Sequence, residues 1–303
     1  MKHNSPKTVI IVTGPTASGK TAFAIRLAQA FKTEIISADS RQCFREMVIG
    51  VARPTDEELA AVPHHFIASH SIQEEVTAAT FESYALSQLD KLFQQHDLVV
   101  MVGGTGLYIK AFCEGLDLIP DTDPAIRQQV IQQYESKGLS WLQETLKEND
   151  PAFYNSGEIQ NPQRCMRALE VCLSTGRSII DYRTGKKVVR DFRVIKIGME
   201  LPKETLHKQI NSRVEQMMQA GLEAEVKTLL PFRKLNALQT VGYSELFDLF
   251  DGKLTREQAV EAIKTHTRQY AKRQLTWFRK DPDIRWVSPT DTEVLPSIID
   301  LMK

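Results

Sequence analysis

A chain of 303 residues has room for one large domain, or for a domain carrying a sizeable insertion. With 42% apolar and 25% charged residues a buried core is expected, and a formal net charge of zero excludes a global attraction to nucleic acid or to an anionic membrane, leaving such contacts to local patches. No apolar stretch approaches the roughly 18–20 residues of a membrane span and no signal peptide is visible, while four cysteines without a CxxC pair (Cys43, Cys113, Cys165, Cys172) fit a reducing cytosol better than a zinc site or a disulfide framework.

Thr8 to Val12 is a β-branched run, predicted as a strand buried on both faces. A Gly-rich turn follows, after which Ala24, Leu27, Ala28 and Phe31 fall at helical spacing. Glu34 to Ser37 reads as a second strand, Phe81 to Gln95 as a helix, and Leu98 to Val102 as a third strand running into Gly103-Gly104. Strand and helix alternating at this density predict a parallel sheet covered by helices on both faces. The character changes near Leu118, where Ile119-Pro120 and Asp121-Thr122-Asp123-Pro124 form a turn cluster. From there to about Arg190 the pattern is helical with polar loops, including a helix started by Asn161 and Pro162 and stopped by Gly176. Val194 to Ile197 resembles a returning strand, and Pro202 opens a helix that Gly221 closes. Thr255 and Gln258 form a capping box ahead of a helix to about Phe278, and Ile284 to Val287 is a last short strand. The expected organisation is a core of residues 1–119 and 193–303, interrupted by a helical insertion of residues 120–192.

Gly14 to Thr21 reads GPTASGKT, a full match to GxxxxGK[ST] in the strand–turn–helix context that motif requires. Successive backbone N–H groups turn inward in such a loop. Gly14, Thr16, Ala17, Ser18 and Gly19 are therefore candidate phosphate contacts, with Lys20 adding charge and the Thr21 hydroxyl placed for Mg²⁺. The motif specifies a diphosphate or triphosphate without saying which, nor that a phosphoryl group moves. An ATP-hydrolysing enzyme with this loop usually carries an acid at the end of a neighbouring apolar strand. Here Leu98 to Val102 ends in Gly-Gly-Thr-Gly, and Asp97 lies at the wrong end. Asp39, in SADSRQ, follows the second strand instead. Ligands of open α/β sheets bind beyond the carboxyl ends of the strands, so Asp39, Thr105 and the phosphate loop are expected to converge. Asp39 is then either a base for a nucleophile arriving opposite the phosphates or a turn aspartate. Arg213 falls in the stripe of Leu206, Ile210 and Met217, where it either meets a diphosphate or snorkels to water.

Lys264, Arg268, Lys272, Arg273, Arg279 and Lys280 occur with no acid between Glu261 and Asp281, and Tyr270, Trp277 and Phe278 are interleaved. The pattern fits RNA phosphates and splayed bases, or a solvated helix face. Arg177, Arg183, Lys186, Lys187, Arg190 and Arg193 form a looser basic stretch with the same two readings. His64-His65 reads as loop or packing, since no further ligands are spaced to complete a metal site.

Together these stretches resemble one family, the bacterial tRNA dimethylallyltransferases. The matching segments are GPTASGKT, ISADSRQ (Ile36 to Gln42), VGGTGLYIKA (Val102 to Ala111), NPQRCMRALEV (Asn161 to Val171), AGLEAEV (Ala220 to Val226), VGYSEL (Val241 to Leu246) and TRQYAKRQLTWFR (Thr267 to Arg279). The resemblance implies an α/β fold, a P-loop NTPase-like parallel sheet core with an inserted all-helical domain. It implies an enzyme that uses Mg²⁺ and moves the dimethylallyl group of dimethylallyl diphosphate to the exocyclic amine of the adenine immediately 3′ of the anticodon; a cytoplasmic monomer is expected. Carried over residue by residue, Asp39 would accept the amine proton, with Thr105 beside the reacting centre. Gly14, Thr16, Ala17, Ser18, Gly19, Lys20, Thr21 and Arg213 would hold the diphosphate, with Thr21 on Mg²⁺. Asp39, Ser40, Arg41, Gln42, Thr105, Arg127, Gln163, Arg164, Arg167, Gln239, Gly242, Tyr243, Lys272, Arg273 and Arg279 would lie along the tRNA anticodon stem-loop. Phe44, Val51 and Arg53 stand where the family commonly has tyrosine, threonine and lysine, which bears on substrate contact and not on reaction class.

Three other readings share parts of this pattern. A P-loop small-molecule or nucleoside kinase would turn over ATP and needs no basic helix. An isopentenyltransferase acting on free adenine nucleotides needs neither the insertion nor that helix. A non-enzymatic RNA-binding protein has no use for a complete phosphate loop with Asp39 and Arg213.

Overall fold

The computed structural model describes residues 6–291 and 293–302. The first β-branched run is β1 (Thr8–Thr13), buried along its whole length, and the Gly-rich turn leads from it into α1 (Lys20–Phe31). β2 (Ile35–Ser37), α2 (Asp56–Ala61), β3 (His64–His65), α3 (Ala78–Leu92), β4 (Leu98–Gly103) and α4 (Gly106–Glu114) follow. The insertion supplies α5 (Pro124–Asn149), kinked at Gly138, then α6 (Pro151–Asn155) and α7 (Pro162–Thr175). As its sequence predicts, α7 starts on the Asn161 side chain, which accepts from Arg164 N–H, and ends at Gly176 with φ 70°. The chain returns through β5 (Arg193–Met199), α8 (Lys203–Gln219), α9 (Leu222–Thr228), α10 (Tyr243–Phe250), α11 (Arg256–Phe278), β6 (Ile284–Val287) and α12 (Val294–Met302).

The strands form one parallel sheet in the order β3-β2-β4-β1-β5-β6. Side chains alternate across it, which makes two cores. Val9, Ile11, Ile36, Val99 and Met101 face one, with Phe81 of α3 and Phe112 of α4. Ile10, Val12, Ile35, Val100 and Val102 face the other, with Phe23, Ala24 and Leu27 of α1. Thr13 lies opposite Gly103, and Ser37 opposite Val102, so β1, β2 and β4 end level and their following loops open on one edge of the sheet.

The chain divides into two compact units, Met1–Cys113 with Val189–Lys303, and Glu114–Val188. The second has its own core of Val130, Leu142, Leu146, Phe153 and Leu169. It begins a few residues ahead of the boundary expected at 120. Backbone pairing explains this: Val188 N–H donates to the Glu114 carbonyl, and Thr184 and Gly185 N–H donate to the Asp117 carboxylate. Three further expectations change. His64-His65 is an edge strand paired with Ile35 and Ile36, not a loop, and His65 Nε2 meets Glu34 at 2.6 Å. Gly221, with φ 100°, follows the cap at Ala220 and itself opens α9. The buried stripe of α8 is Leu206, Ile210, Val214 and Met218, with Arg213 and Met217 half-buried on its flank.

Candidate active site

The loops after β1, β2 and β4 meet at one place. Gly14 takes φ 144°, and a Cβ there would stand 2.7 Å from the Met199 carbonyl oxygen, so glycine is required. Ala17 also has a positive φ, 61°, held by burial among Leu201, Leu206, Ile210 and Ala271. Ser18 is buried, and its hydroxyl has no hydrogen-bond partner, a cost that a phosphate oxygen would relieve. Lys20 Nζ donates to the Pro15 carbonyl at 3.2 Å. Burial pushes its pKa down to about 8, Arg213 pushes the same way, and Asp39 opposes them. Arg213, on α8, is also pushed down by burial, with the charge of Glu58 opposing. Among the described residues neither cation makes an ion pair.

Asp39 is near enough for Lys20 to feel its charge. Its Oδ1 accepts from Arg41 N–H at 2.9 Å and from Gln42 N–H at 3.2 Å, while among the described residues Oδ2 has no partner. Thr105 Oγ1 accepts from Ser40 N–H at 3.0 Å, and Thr105 N–H donates to the Ala38 carbonyl at 3.2 Å. Asp39 is thus the turn aspartate of one reading and lies beside Thr105, as the other requires. Tyr270 of α11 is 37% exposed, but burial at its hydroxyl pushes the pKa up to about 12, with Asp39 adding to the shift.

The loop beyond Asp39 is held from behind. Glu225 of α9 accepts from the N–H groups of Val48, Ile49 and Gly50 at 3.1, 2.7 and 3.1 Å, and from the Tyr243 hydroxyl at 2.6 Å. Arg53 Nη2 donates to the carbonyls of Phe44, Arg45 and Met47, and Gln42 Nε2 to those of Val51 and Ala52. Tyr243 is fully buried, so the expectation that it touches RNA does not fit its position, nor does it fit buried Gly242, whose N–H donates to Glu245. Phe44 is likewise a core ring, so its departure from the family pattern is one of packing.

Residues 42–281 match the IPP transferase family. The chain belongs to that family. A tRNA dimethylallyltransferase of Cytophaga hutchinsonii is 45% identical over 294 residues, 97% of each chain. One of Christiangramia forsetii is 50% identical over 278 residues, 92% of each. A solved eukaryotic dimethylallyltransferase, described as acting on tRNA, superposes with a TM-score of 0.78 at 25% identity, covering 97% of this chain and 78% of that one. The fold is therefore P-loop NTPase-like. Among the described residues no helix is long and apolar enough to cross a membrane.

The basic stretches look different in space. Lys264 is paired with Glu215 of α8 at 2.5 Å and with Glu261 at 2.6 Å, Arg268 is tied to Asn211 at 2.7 Å, and Arg279 to Glu200. The acid-free run is partly neutralised by acids from elsewhere. Lys272, Arg273 and Lys280 stay exposed without an ion pair among the described residues, and the Arg273 guanidinium lies 5.7 Å from the centre of the Tyr270 ring. In the looser stretch Arg177, Arg183, Lys187 and Arg190 pair with Asp181, Glu158, Glu114 and Glu82. Within the insertion unit Arg127 and Gln163 are exposed, Arg164 meets Glu158 at 2.7 Å, and Arg167 donates to Thr122 at 3.0 Å. Gln239 is exposed, with its amide on the Arg233 carbonyl.

One residue escaped the sequence reading. Gln274, inside the stretch expected along RNA, turns inward instead: its Oε1 accepts from Thr16 N–H at 2.8 Å and its Nε2 donates to the Gly104 carbonyl at 2.9 Å. A polar residue between Ala271 and Phe278 on the buried stripe of α11 was the available signal.

Proposed function

We infer that this chain is a tRNA dimethylallyltransferase, moving the dimethylallyl group of dimethylallyl diphosphate to the exocyclic amine of the adenine immediately 3′ of the anticodon. The observation that carries the reading is the gathering of Ser18, Lys20 and Arg213, with no ion pair among the described residues, near enough to Asp39 for Lys20 to feel its charge, with Thr105 bonded to the turn Asp39 begins. The adenine amine is a poor nucleophile because its lone pair is delocalised into the ring. As its nitrogen bonds to the allylic carbon, the carbon–oxygen bond to the diphosphate breaks, and Asp39 accepts the proton through the oxygen its turn leaves open. The departing negative charge develops against Lys20, Arg213 and N–H groups of the phosphate loop other than that of Thr16, which Gln274 already takes. Arg41, Lys272 and Arg273 lie on the acceptor side, along the anticodon stem-loop.

Among the described residues no three His, Cys, Asp or Glu form a metal-holding group. The Thr21 hydroxyl would hold a Mg²⁺ ion that arrives with the diphosphate and keeps most of its water, which suits an ion that dehydrates reluctantly. When bound it would neutralise part of the diphosphate charge. The test is nucleoside analysis of unmodified tRNA after incubation with the protein, Mg²⁺ and dimethylallyl diphosphate. One dimethylallyl group on the adenine next to the anticodon is expected. Unchanged tRNA together with steady ATP hydrolysis in a parallel reaction would overturn the reading in favour of a kinase.

A further inference from the structure

Gln274 lies on the buried side of α11 and is 7% exposed. Its single amide joins two segments far apart in sequence, the phosphate loop at Thr16 and the loop that carries Thr105 at Gly104. Both ends are matched: a carbonyl meets an N–H, and an NH₂ meets a carbonyl. A reversed amide would set like against like at both. Two of the three glycines of Gly-Gly-Thr-Gly, Gly104 and Gly106, leave room for this helix. A Cβ on Gly104 would stand 2.2 Å from Gln274 Nε2, and a Cβ on Gly106 would stand 2.1 Å from Trp277 Nε1, one turn along α11.

We propose that Gln274 is a positioning residue for the donor: it holds the phosphate loop in the shape that receives a prenyl diphosphate, without touching that substrate. The inference rests on the reading of the chain as a prenyl-diphosphate transferase. Its physical ground is the loop itself. Ala17 is kept at φ 61°, a conformation that persists only when its surroundings over-determine it. Ala17 is fixed from one side by the apolar cluster around Ile210, and Thr16 beside it by the Gln274 amide. Without that amide, Thr16 N–H and the Gly104 carbonyl both lose their partner, and the loop has reason to move until they find others.

Two substitutions separate this role from general support. Gln274→Met keeps length and removes both hydrogen bonds. Gln274→Glu keeps the shape and the acceptor for Thr16, but sets a carboxylate against the Gly104 carbonyl. Gly104→Ala crowds the amide from the other side and stands in if either variant fails to fold. Inorganic pyrophosphate with Mg²⁺, titrated by calorimetry, is the probe, beside donor kinetics and tRNA binding. Pyrophosphate affinity is expected to fall about tenfold or more, with donor KM rising in proportion, while tRNA affinity and kcat at saturating donor stay within about threefold. Wild-type pyrophosphate affinity in a folded variant overturns the proposal, and so does a loss shared equally by pyrophosphate and tRNA. Wild-type protein that binds no pyrophosphate would defeat the donor-site reading itself, a result distinct from either.

Discussion

Around the phosphate loop, Lys20 and Arg213 are partly buried without an ion pair among the described residues, whereas in the two basic stretches Arg177, Arg183, Lys187, Arg190, Lys264 and Arg279 have each found an acid. The two regions look alike when residues are merely counted. They differ in what the charge is free to do. Desolvated cations without partners are costly, and an anionic ligand repays that cost on binding, so Lys20 and Arg213 hold a built-in affinity for phosphate. A lysine already bridging two glutamates, as Lys264 does, has little left to offer RNA. Lys272 and Arg273, adjacent on α11, are among the exposed cations left without an ion pair among the described residues, and the comparison predicts that they, and not their paired neighbours, act on nucleic acid.

The largest effect is expected opposite the cradle. Asp39→Ala should lower kcat on the order of 10²- to 10⁴-fold with little change in tRNA affinity, measured in single-turnover reactions at saturating substrates. A variant within a fewfold of wild type would reduce Asp39 to the turn it also makes. Arg213→Ala should cost about 2–4 kcal/mol in kcat/KM for the donor, and leave the salt dependence of tRNA binding as it was. Changing Lys272 and Arg273 together to alanine should do the reverse. It should weaken tRNA binding and flatten the slope of log K against log salt by roughly 0.7–0.9 for each RNA phosphate that is no longer neutralised, with donor KM unaltered.

A subtler contrast lies in pH. The unfolded chain holds the Lys20 proton up to its ordinary value of 10.5, the folded one only to about 8. Between those values the unfolded state binds more protons, so this group makes the ligand-free protein more stable as pH rises through that window. Pyrophosphate binding needs the ammonium and should weaken over the same range. Both trends should vanish in Lys20→Met, seen by thermal melts and calorimetry at several pH values. Smallest of all, Lys264→Ala should leave tRNA affinity and its salt slope unchanged. A clear drop in affinity there would break the distinction between paired and unpaired cations.

What was legible in the sequence was local. The β1–loop–α1 unit, the Asn161 and Gly176 ends of α7, and the Thr255 capping box of α11 depend on neighbours within a few residues, and all three form as their residues dictate. Convergence of Asp39, Thr105 and the phosphate loop followed from a rule about parallel sheets. What escaped depends on partners distant in the chain. Glu215 and Glu200 neutralise α11 from another helix and a strand end, which no count along α11 reveals. Tyr243 is buried because Glu225 claims its hydroxyl while also holding the backbone of Val48 to Gly50. The motifs containing Glu225 and Tyr243 therefore shape the loop after Asp39 from behind. His64-His65 is too short a strand to carry an alternation of its own and is recognisable only beside β2.

The fit of Gly104 against Gln274 has a consequence for how such a chain can change over generations. With 2.2 Å between a would-be methyl group and the amide nitrogen, neither residue is free to drift alone. An alanine at 104 displaces the side chain at 274, and a smaller residue at 274 leaves the Thr16 and Gly104 backbone groups stranded. The fit predicts that the two positions change together: a harmful Gly104→Ala should be rescued, if at all, by a second-site change at 274 that both shortens the side chain and still offers an acceptor to Thr16. Asparagine, which also keeps a donor for the Gly104 carbonyl, is the natural candidate for that suppressor.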